Sequence, residues 1–180
     1  MVSIPAIRAK RPAPMAITIT SLSNAAADAV EDLLDAAFGA DRHSRTAYRI
    51  RDAMPLLDQL SFAAFEGDRL VASLQSWLVA VGNAEVVLVG PVAVAPDRQR
   101  NGVGRRLMEA LMRAAPDAPM VMIGDPEYYG RFFGFTSDAT GKWEAPGPVD
   151  RARLLARNAS GLPASGLLGP RTFALATSSP

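Results

Sequence analysis

The chain has 180 residues, of which 49% are hydrophobic and 21% are charged, a composition typical of one globular domain. Nineteen Lys and Arg against 18 Asp and Glu leave a net charge of +1, which disfavours a general nucleic-acid binder. The absence of Cys excludes disulfides, a cysteine nucleophile and thiolate zinc sites, and a single His excludes a multi-histidine metal site. No apolar run approaches the roughly 20 residues that span a bilayer.

Residues 1–16 are predicted to be a flexible N-terminal extension, because Pro5, Pro12 and Pro14 interrupt regular structure. The segment lacks the apolar core of roughly 7–15 residues that a secretory signal peptide needs. We therefore expect a cytoplasmic protein that has no membrane or nucleic-acid partner and no metal site.

The first half of the chain predicts one strand, two helices and an antiparallel meander. Alternating residues predict a strand over 17–20, and an apolar stripe over 30–38 predicts a helix that Gly39 ends. Residues 44–58 predict a weaker helix, which Pro55 breaks. Turn residues then separate three predicted strands: 60–65, 70–81 and 85–94. Gly90-Pro91 lies inside the third strand, and we expect a bulge or splay there, since proline cannot donate to a ladder.

The second half predicts a crossover and a second short helix. Val103, Leu107 and Leu111 form an apolar stripe on a helix that follows the loop 97–104. Residues 120–123 predict a buried strand that runs parallel to its predecessor. Residues 126–133 predict a helix with Asp125 as its N-cap and proline at its first position.

The C-terminal segment is read as an extension, residues 146–180, that completes or packs on a domain of residues 17–145. A proline-rich turn at 146–148 opens it. Residues 150–157 predict a short helix, and residues 172–176 predict an edge strand.

Residues 90–108 are predicted to run from a strand through a loop into a helix, and they contain the most informative candidate for a ligand-binding site. Gly102 and Gly104 lack a Cβ and let a ligand approach the backbone closely. The start of the following helix supplies unpaired N–H groups and a partial positive charge. Four arginines crowd the same stretch: Arg98, Arg100, Arg105 and Arg106. The pattern favours a pyrophosphate or similar anion over the alternative, a solvated helix end paired with Asp97 and Glu109.

Two well-known glycine-rich motifs do not fit this loop, and a third does. A P-loop run is absent, and Leu107 stands where a dinucleotide-binding fingerprint needs its third Gly or Ala. A third motif, Gln/Arg-x-x-Gly-x-Gly/Ala, matches Gln99-Arg-Asn-Gly-Val-Gly104 at every constrained position.

With Ala93-Val-Ala-Pro96 before this loop and Tyr128-Tyr129 followed by Gly134-Phe135 after it, the chain resembles the GCN5-related N-acetyltransferase (GNAT) superfamily. Gly124-Asp-Pro126 is similar to a bacterial subgroup of predicted N-acetyltransferases. The resemblance covers roughly residues 17–140. It implies an α/β (α+β) fold, in which helices flank a mixed, mostly antiparallel sheet with a splayed central strand pair.

The resemblance also implies a binding site for acetyl-CoA. Its pantetheine would pair with the splayed strand at Val92, Ala93 and Val94, like an added strand. Its pyrophosphate would bind a set of loop residues: Gln99, Arg100, Asn101, Gly102, Val103, Gly104 and Arg105.

The general acid implied for the leaving thiolate is Tyr129, with Tyr128 as the alternative, and an oxyanion donor is expected from a strand amide near Val92. Tyr129 stands five positions before Gly134, whereas the family spacing is four, which leaves open which tyrosine faces the thioester. No base is assigned among Glu85, Asp125 and Glu127.

The predicted function is transfer of an acetyl group from acetyl-CoA to a primary amine of a small molecule or peptide. Without a cysteine, no acetyl-cysteine intermediate can form, and direct transfer is favoured. Two alternatives stay open: a non-catalytic acyl-CoA-binding or sensor module of the same fold, and an interaction protein whose loop binds another anion. The resemblance adds a homodimer as an option. The acceptor is expected to be selected by the early helices, about residues 24–58, and by the C-terminal strands.

Overall fold

A computed structural model of the protein describes residues 16–171, so the predicted edge strand 172–176 and almost all of the predicted N-terminal extension lie outside the described residues. Within that range the helices are α1 (Ala27–Phe38), α2 (Thr46–Ile50), α3 (Val103–Ala114) and α4 (Pro126–Phe133). The strands are β1 (Ile17–Ser21), β2 (Phe62–Glu66), β3 (Arg69–Val81), β4 (Ala84–Val94), β5 (Met120–Ile123), β6 (Lys142–Glu144), β7 (Leu154–Arg157) and β8 (Ser165–Gly169).

The strands form one mixed sheet, mostly antiparallel, with the order β1-β2-β3-β4-β5-β7. The crossover through α3 makes β4 and β5 parallel, as the sequence predicted. At the far end of β3, β8 pairs with Ala80 and Val81, and β6 then pairs with β8 in parallel. The long strand β3 therefore joins both parts of the sheet.

Helices cover both faces of the sheet because β4 alternates its apolar side chains between them. Ala93 packs in a cluster with Val30 and Leu34 of α1. Val92 and Val94 point to the opposite face, where they join a cluster with Leu107 of α3 and residues of α4. This alternation places the carboxyl end of β4 between two helical layers.

The middle of β4 contains the expected bulge. Gly90 and Pro91, joined by a cis peptide bond, stand opposite Gln75 alone, because the register with β3 passes from Val89↔Ser76 to Val92↔Leu74. Two residues opposite one partner define a β-bulge.

The splayed strand pair is also present. β4 and β5 pair only at Val87↔Met120 and Leu88↔Val121, and β5 then continues beside β7. Across the described residues, no strand lies beside the β5-side edge of β4 from Val89 to Val94. The backbone groups on this edge can therefore pair with an extended ligand.

Most predicted elements and two predicted caps are present. Gly39 ends α1 with a φ of +89°, and the Asp125 side chain accepts a hydrogen bond from the Glu127 N–H at 3.0 Å. Strand β5 and helix α4 have the predicted bounds.

Two helix predictions were wrong in extent or type. The predicted helix 44–58 is reduced to the five residues of α2, because the chain beyond Ile50 turns toward the sheet, where Leu56 bridges Trp77. The predicted helix 150–157 is a short turn followed by strand β7, whose Leu155 pairs with Met122. Burial of Leu154 and Leu155 beside β5 outweighs the local helical preference.

Candidate active site

A pocket of about 450 Å³ opens where β4 meets the start of α3, and we call it the loop pocket. It is lined by Val94, Arg98, Gln99, Arg100, Gly102, Val103, Gly104, Arg105, Tyr128 and Phe132. The sequence had singled out most of these residues as the pyrophosphate site. Asn101 is exposed and outside this lining, and Ala93 is buried against α1.

Positive φ angles shape the loop that forms this pocket. Arg100 has a φ of +64° and Gly102, the N-cap of α3, has a φ of +75°. The first backbone N–H groups of α3 have no acceptor within the helix. They carry the positive end of the helix dipole, which suits an anion.

Gly104 keeps α3 close to β4. A Cβ at this position would lie 3.3 Å from Val94 Cγ2 and 3.9 Å from Val92 Cγ1. The absence of a side chain at Gly104 therefore lets α3 pack closely on β4. This packing brings the start of the helix to the edge of the strand, where a ligand can reach it.

Two of the four arginines are committed to structural contacts. Arg98 forms ion pairs with Glu66 at 2.6 Å and with Asp97 at 2.8 Å. Arg106 donates to the carbonyl of Ile17 at 2.9 Å, which ties α3 to β1. The alternative prediction, pairing of these arginines with Asp97 and Glu109, is met by Arg98 with Asp97 and by Arg105 with Glu109.

The other two arginines line the loop pocket and form fewer contacts with the rest of the protein. Arg105 pairs with Glu109 at 2.9 Å on the exposed side of α3, and its guanidinium lies 4.7 Å from the centre of the Phe132 ring. Arg100 lines the pocket and, among the described residues, has no hydrogen bond or ion pair. These two side chains can turn toward a bound anion at little cost.

The two candidate tyrosines occupy different surroundings on α4. The Tyr128 ring lines the loop pocket and packs on Phe132 at 5.3 Å. The Tyr129 ring lies against Gly124, where a Cβ would come within 2.7 Å of two ring carbons. Gly124 is a residue whose role sequence reasoning missed, although its Gly-Asp-Pro context was noted.

Burial makes the Tyr129 hydroxyl a weaker acid than that of a free tyrosine. Desolvation, with smaller contributions from the charges of Tyr128 and Asp125, raises the pKa of Tyr129 from 10.0 to about 12. The hydroxyl is therefore protonated at neutral pH and can donate a proton or a hydrogen bond. Burial also raises the pKa of Tyr128, which is less enclosed.

The extra residue between Tyr129 and Gly134 is absorbed at the end of α4. The Gly134 N–H bonds to the carbonyls of both Gly130 and Tyr129, the latter a π-type contact across five residues. The Phe135 N–H also bonds to the Tyr129 carbonyl, at 3.3 Å. Because the widening follows Tyr129, the turn of helix that carries Tyr129 keeps its regular geometry.

A second pocket, of about 470 Å³, lies at the bulge, and we call it the bulge pocket. Its floor is β4 from Leu88 to Val92 together with Met122 and Ile123 of β5. One wall comes from Phe38, Arg42 and the segment 44–48, and the other comes from Pro148, Val149, Asp150 and Arg153. Val92 therefore lies in this pocket, whereas Val94 lies in the loop pocket.

Contacts between distant segments hold the two walls of the bulge pocket together. The Thr46 hydroxyl donates to the Pro148 carbonyl at 2.5 Å, and Arg49 donates to the Pro146 carbonyl at 3.3 Å. Gly147 packs so closely that a Cβ there would lie 2.8 Å from Thr46 Oγ1. The proline-rich turn is thus fixed to α2.

None of the acidic residues considered as bases lines the loop pocket or the bulge pocket. Glu85 forms an ion pair with Arg171 at the opposite end of β4 from the bulge. Asp125 caps α4, and Glu127 is exposed. His43 is exposed and packs edge-on to Tyr48 at 4.8 Å.

Comparison with known proteins agrees with this geometry. The model of the acetyltransferase (GNAT) family matches residues 27–135, which include α1, the meander, the loop pocket and α4. The chain belongs to the GNAT acetyltransferase family. No curated protein sequence gave a significant match.

Solved structures share the GNAT fold with this chain. The GNAT-family N-acetyltransferase YhbS from Escherichia coli, in complex with CoA, is 22% identical, with a TM-score of 0.66, over 89% of this chain and 92% of that one. A GNAT-family acetyltransferase from Brucella melitensis, in complex with acetyl-CoA, is 27% identical, with a TM-score of 0.53, over 80% of this chain and 97% of that one.

Residues 16–171 contain neither a membrane-spanning helix nor a cluster of metal-ligating side chains. In that range, no helix has the length and apolar character to cross a membrane. The same range contains no group of three or more His, Cys, Asp or Glu side chains placed to hold a metal ion.

Proposed function

We propose that this GNAT-family protein transfers the acetyl group of acetyl-CoA directly to a primary amine of a small molecule or peptide. The observation that carries the proposal is the continuity of three features. The loop pocket, the open edge of β4 and the bulge pocket follow one another along a single strand, from Val94 to Gly90.

The residues at the loop pocket fit a pyrophosphate. Unpaired N–H groups begin α3, and Arg100 and Arg105 supply positive charge. A Cβ at Gly102 would meet no atom within 4 Å, so the backbone there is open to a ligand. Phe132 and Tyr128 add aromatic surface beside these charges.

The open edge of β4 fits the pantetheine arm. Val92 to Val94 pair with β3 on one side and have no described strand on the other. The free backbone groups can bind the amides of an extended chain as a neighbouring strand would. This orientation leads from the loop pocket to the bulge pocket, where the thioester would meet the acceptor.

In the reaction, a neutral amine forms an N–C bond to the thioester carbonyl, the C–S bond breaks, and the nitrogen releases one proton. Tyr129 is our choice for the proton donor to the leaving sulfur, because its hydroxyl is neutral and its ring packs on Gly124, the residue that follows Met122 and Ile123 of the bulge-pocket floor. The proton from the nitrogen passes to water or to the Tyr129 oxygen, which restores the hydroxyl once it has protonated the sulfur. Val92, the first residue after Pro91 with a backbone N–H, is the candidate oxyanion donor. The chain contains no cysteine for an acetyl-enzyme intermediate.

The test is thiol release from acetyl-CoA over a panel of primary amines. We expect turnover with at least one amine and mass-spectrometric detection of the acetylated product. Tight acetyl-CoA binding without turnover on any amine would favour a CoA-binding or sensor module instead. The extra residue before Gly134 had favoured that alternative, and its absorption after Tyr129 weakens the argument for it.

A further inference from the structure

The bulge pocket is lined by more cationic than anionic side chains. Arg42, Arg45 and Arg153 line it, whereas Asp150 is the single carboxylate in its described lining. The Asp150 carboxylate already accepts the Ala152 N–H at 3.0 Å. Because Glu31 and Asp35 pair with Arg42, the excess positive charge at the acceptor end of the proposed site comes from Arg45 and Arg153, although the whole chain is almost neutral.

Arg42 is the cation whose charge is already balanced. Its side chain is buried, pairs with Asp35 at 2.7 Å and with Glu31, and contacts the Tyr48 hydroxyl. It holds the segment after α1 in place, and its charge has little left to offer a substrate.

Arg45 and Arg153 are not balanced in this way. Arg45 donates to the Phe38 carbonyl at 2.8 Å and lies over the Phe38 ring. Arg153 donates through Nε to the Gly124 carbonyl at 3.3 Å. Both side chains are exposed, and neither forms an ion pair with any residue between 16 and 171.

A buried guanidinium adds to the positive potential of the pocket. Arg51 is only 7% exposed and lies between the rings of Tyr48 and Trp77, at 4.0 and 4.4 Å. It donates to the Gly90 carbonyl at 3.2 Å and to the Gln75 amide oxygen at 3.4 Å. No described carboxylate forms an ion pair with it, and Glu31, which pairs with Arg42, offsets only part of its charge at the pocket wall formed by Tyr48 and Gly90.

We propose that the acceptor is an amine that also carries an anionic group, a carboxylate or a phosphate, which Arg45 and Arg153 bind from opposite walls of the bulge pocket. The inference rests on the proposed acetyl transfer and names the substrate class of that site. Guanidinium groups bind both anions through paired N–H donors.

The same charges act on the amine. Two arginines and one bound carboxylate leave one positive charge, which disfavours the ammonium form and so lowers the pKa of a bound amine and raises the neutral fraction that can attack the thioester. This effect aids the reaction without a dedicated base. It also disfavours acceptors with several positive charges, such as polyamines and aminoglycosides. A dianionic phosphate would leave no such excess of positive charge.

The experiment compares matched amines in the thiol-release assay. L-phenylalanine is paired with phenethylamine, and phosphoethanolamine with ethanolamine, so that the two pairs distinguish carboxylate from phosphate. Putrescine represents the polycations. We expect kcat/KM to be about 10- to 100-fold higher for the anionic member of at least one pair, the size expected for a charge-assisted contact.

Variants test whether the two arginines cause the preference. Arg45→Gln and Arg153→Gln should each raise KM for the anionic acceptor about tenfold, with KM for acetyl-CoA unchanged, and Arg153→Lys should restore part of the loss. Arg113→Gln, at the exposed end of α3, is the matched control and should change neither constant. A purely structural role for these arginines would instead impair neutral and anionic amines alike.

The outcomes separate the inference from the function on which it rests. Turnover that prefers ethanolamine, phenethylamine or putrescine would overturn the anionic acceptor and leave acetyl transfer intact. If the protein binds acetyl-CoA but turns over none of the amines, both the proposed acceptor class and the proposed acetyl transfer would be overturned. A protein that binds no CoA species would overturn the proposed function at its first step.

Discussion

The loop pocket and the bulge pocket differ in how the chain builds them. Apart from Tyr128 and Phe132, the loop pocket comes from a continuous stretch, residues 94–105. The bulge pocket joins four separate segments, including α2 and the C-terminal turn. A continuous stretch can hold its geometry through local φ angles and one helix start, whereas the bulge pocket depends on contacts such as that of Thr46 with Pro148.

The difference in construction is consistent with separate binding functions for the two pockets. The loop pocket presents backbone N–H groups and charge from one stretch of chain, and the bulge pocket presents side chains from four separate segments. If the loop pocket binds the acyl donor and the bulge pocket binds the acceptor, substitutions in the two regions must affect different kinetic constants.

The largest effect is expected at Tyr129, the proposed proton donor. Tyr129→Phe removes the proton donor while keeping the ring on Gly124, so kcat should fall about 10²- to 10⁴-fold. Acetyl-CoA affinity, measured by calorimetry, should not change. Tyr128→Phe is the matched control, and a larger loss of kcat in that variant would transfer the role to Tyr128.

Gly104→Val should disable the loop pocket. The added methyl groups would press on Val94 and Val92 and push α3 away from β4, so that acetyl-CoA affinity should fall about 100-fold. Ala114→Val, at the exposed end of the same helix, controls for helix propensity, and circular dichroism checks folding. Unchanged affinity in a folded Gly104→Val protein would refute this placement of the donor site.

Arg105→Gln should weaken the donor site without removing it. One lost charge-assisted contact should raise KM for acetyl-CoA about tenfold, with KM for the amine unchanged. The difference between Arg105→Gln and the wild type should shrink at high salt, because the contact is exposed. An equal rise in the KM of the amine would contradict the assignment of the acyl donor to the loop pocket and of the acceptor to the bulge pocket.

The smallest effect is expected at Arg98. Its ion pairs with Glu66 and Asp97 are partly exposed, so Arg98→Gln should lower the free energy of unfolding by roughly 1 kcal/mol. Acetyl-CoA binding should be almost unaffected, although Arg98 belongs to the same arginine-rich stretch as Arg105. Urea denaturation and calorimetry together check this expectation, which a large loss of affinity would contradict.

The contrast between the pockets also explains what the sequence could predict. Gln99 to Gly104 and the bulge at Gly90-Pro91 are local patterns with a local physical cause, and their geometry was predictable. Strand β5 and helix α4 were equally local, since apolar runs and a Pro-initiated helix define them.

The acceptor side was not predictable in the same way. The strand character of 154–157 arises from pairing with β5, and the role of Gly124 arises from the Tyr129 ring five positions later. Which arginines form structural contacts and which line the loop pocket depends on partners that are distant in sequence, such as Glu66 and Ile17. These features arise only once the chain has folded and brought separate segments together.

The central claim is that the loop pocket and the open edge of β4 bind CoA. Calorimetric titration of the wild-type protein with acetyl-CoA, CoA and ATP tests it most directly. We predict that acetyl-CoA and CoA each bind one molecule per chain and that ATP, which lacks the pantetheine arm, binds far more weakly. No binding of either CoA species, or ATP binding as tight as that of acetyl-CoA, would contradict the account.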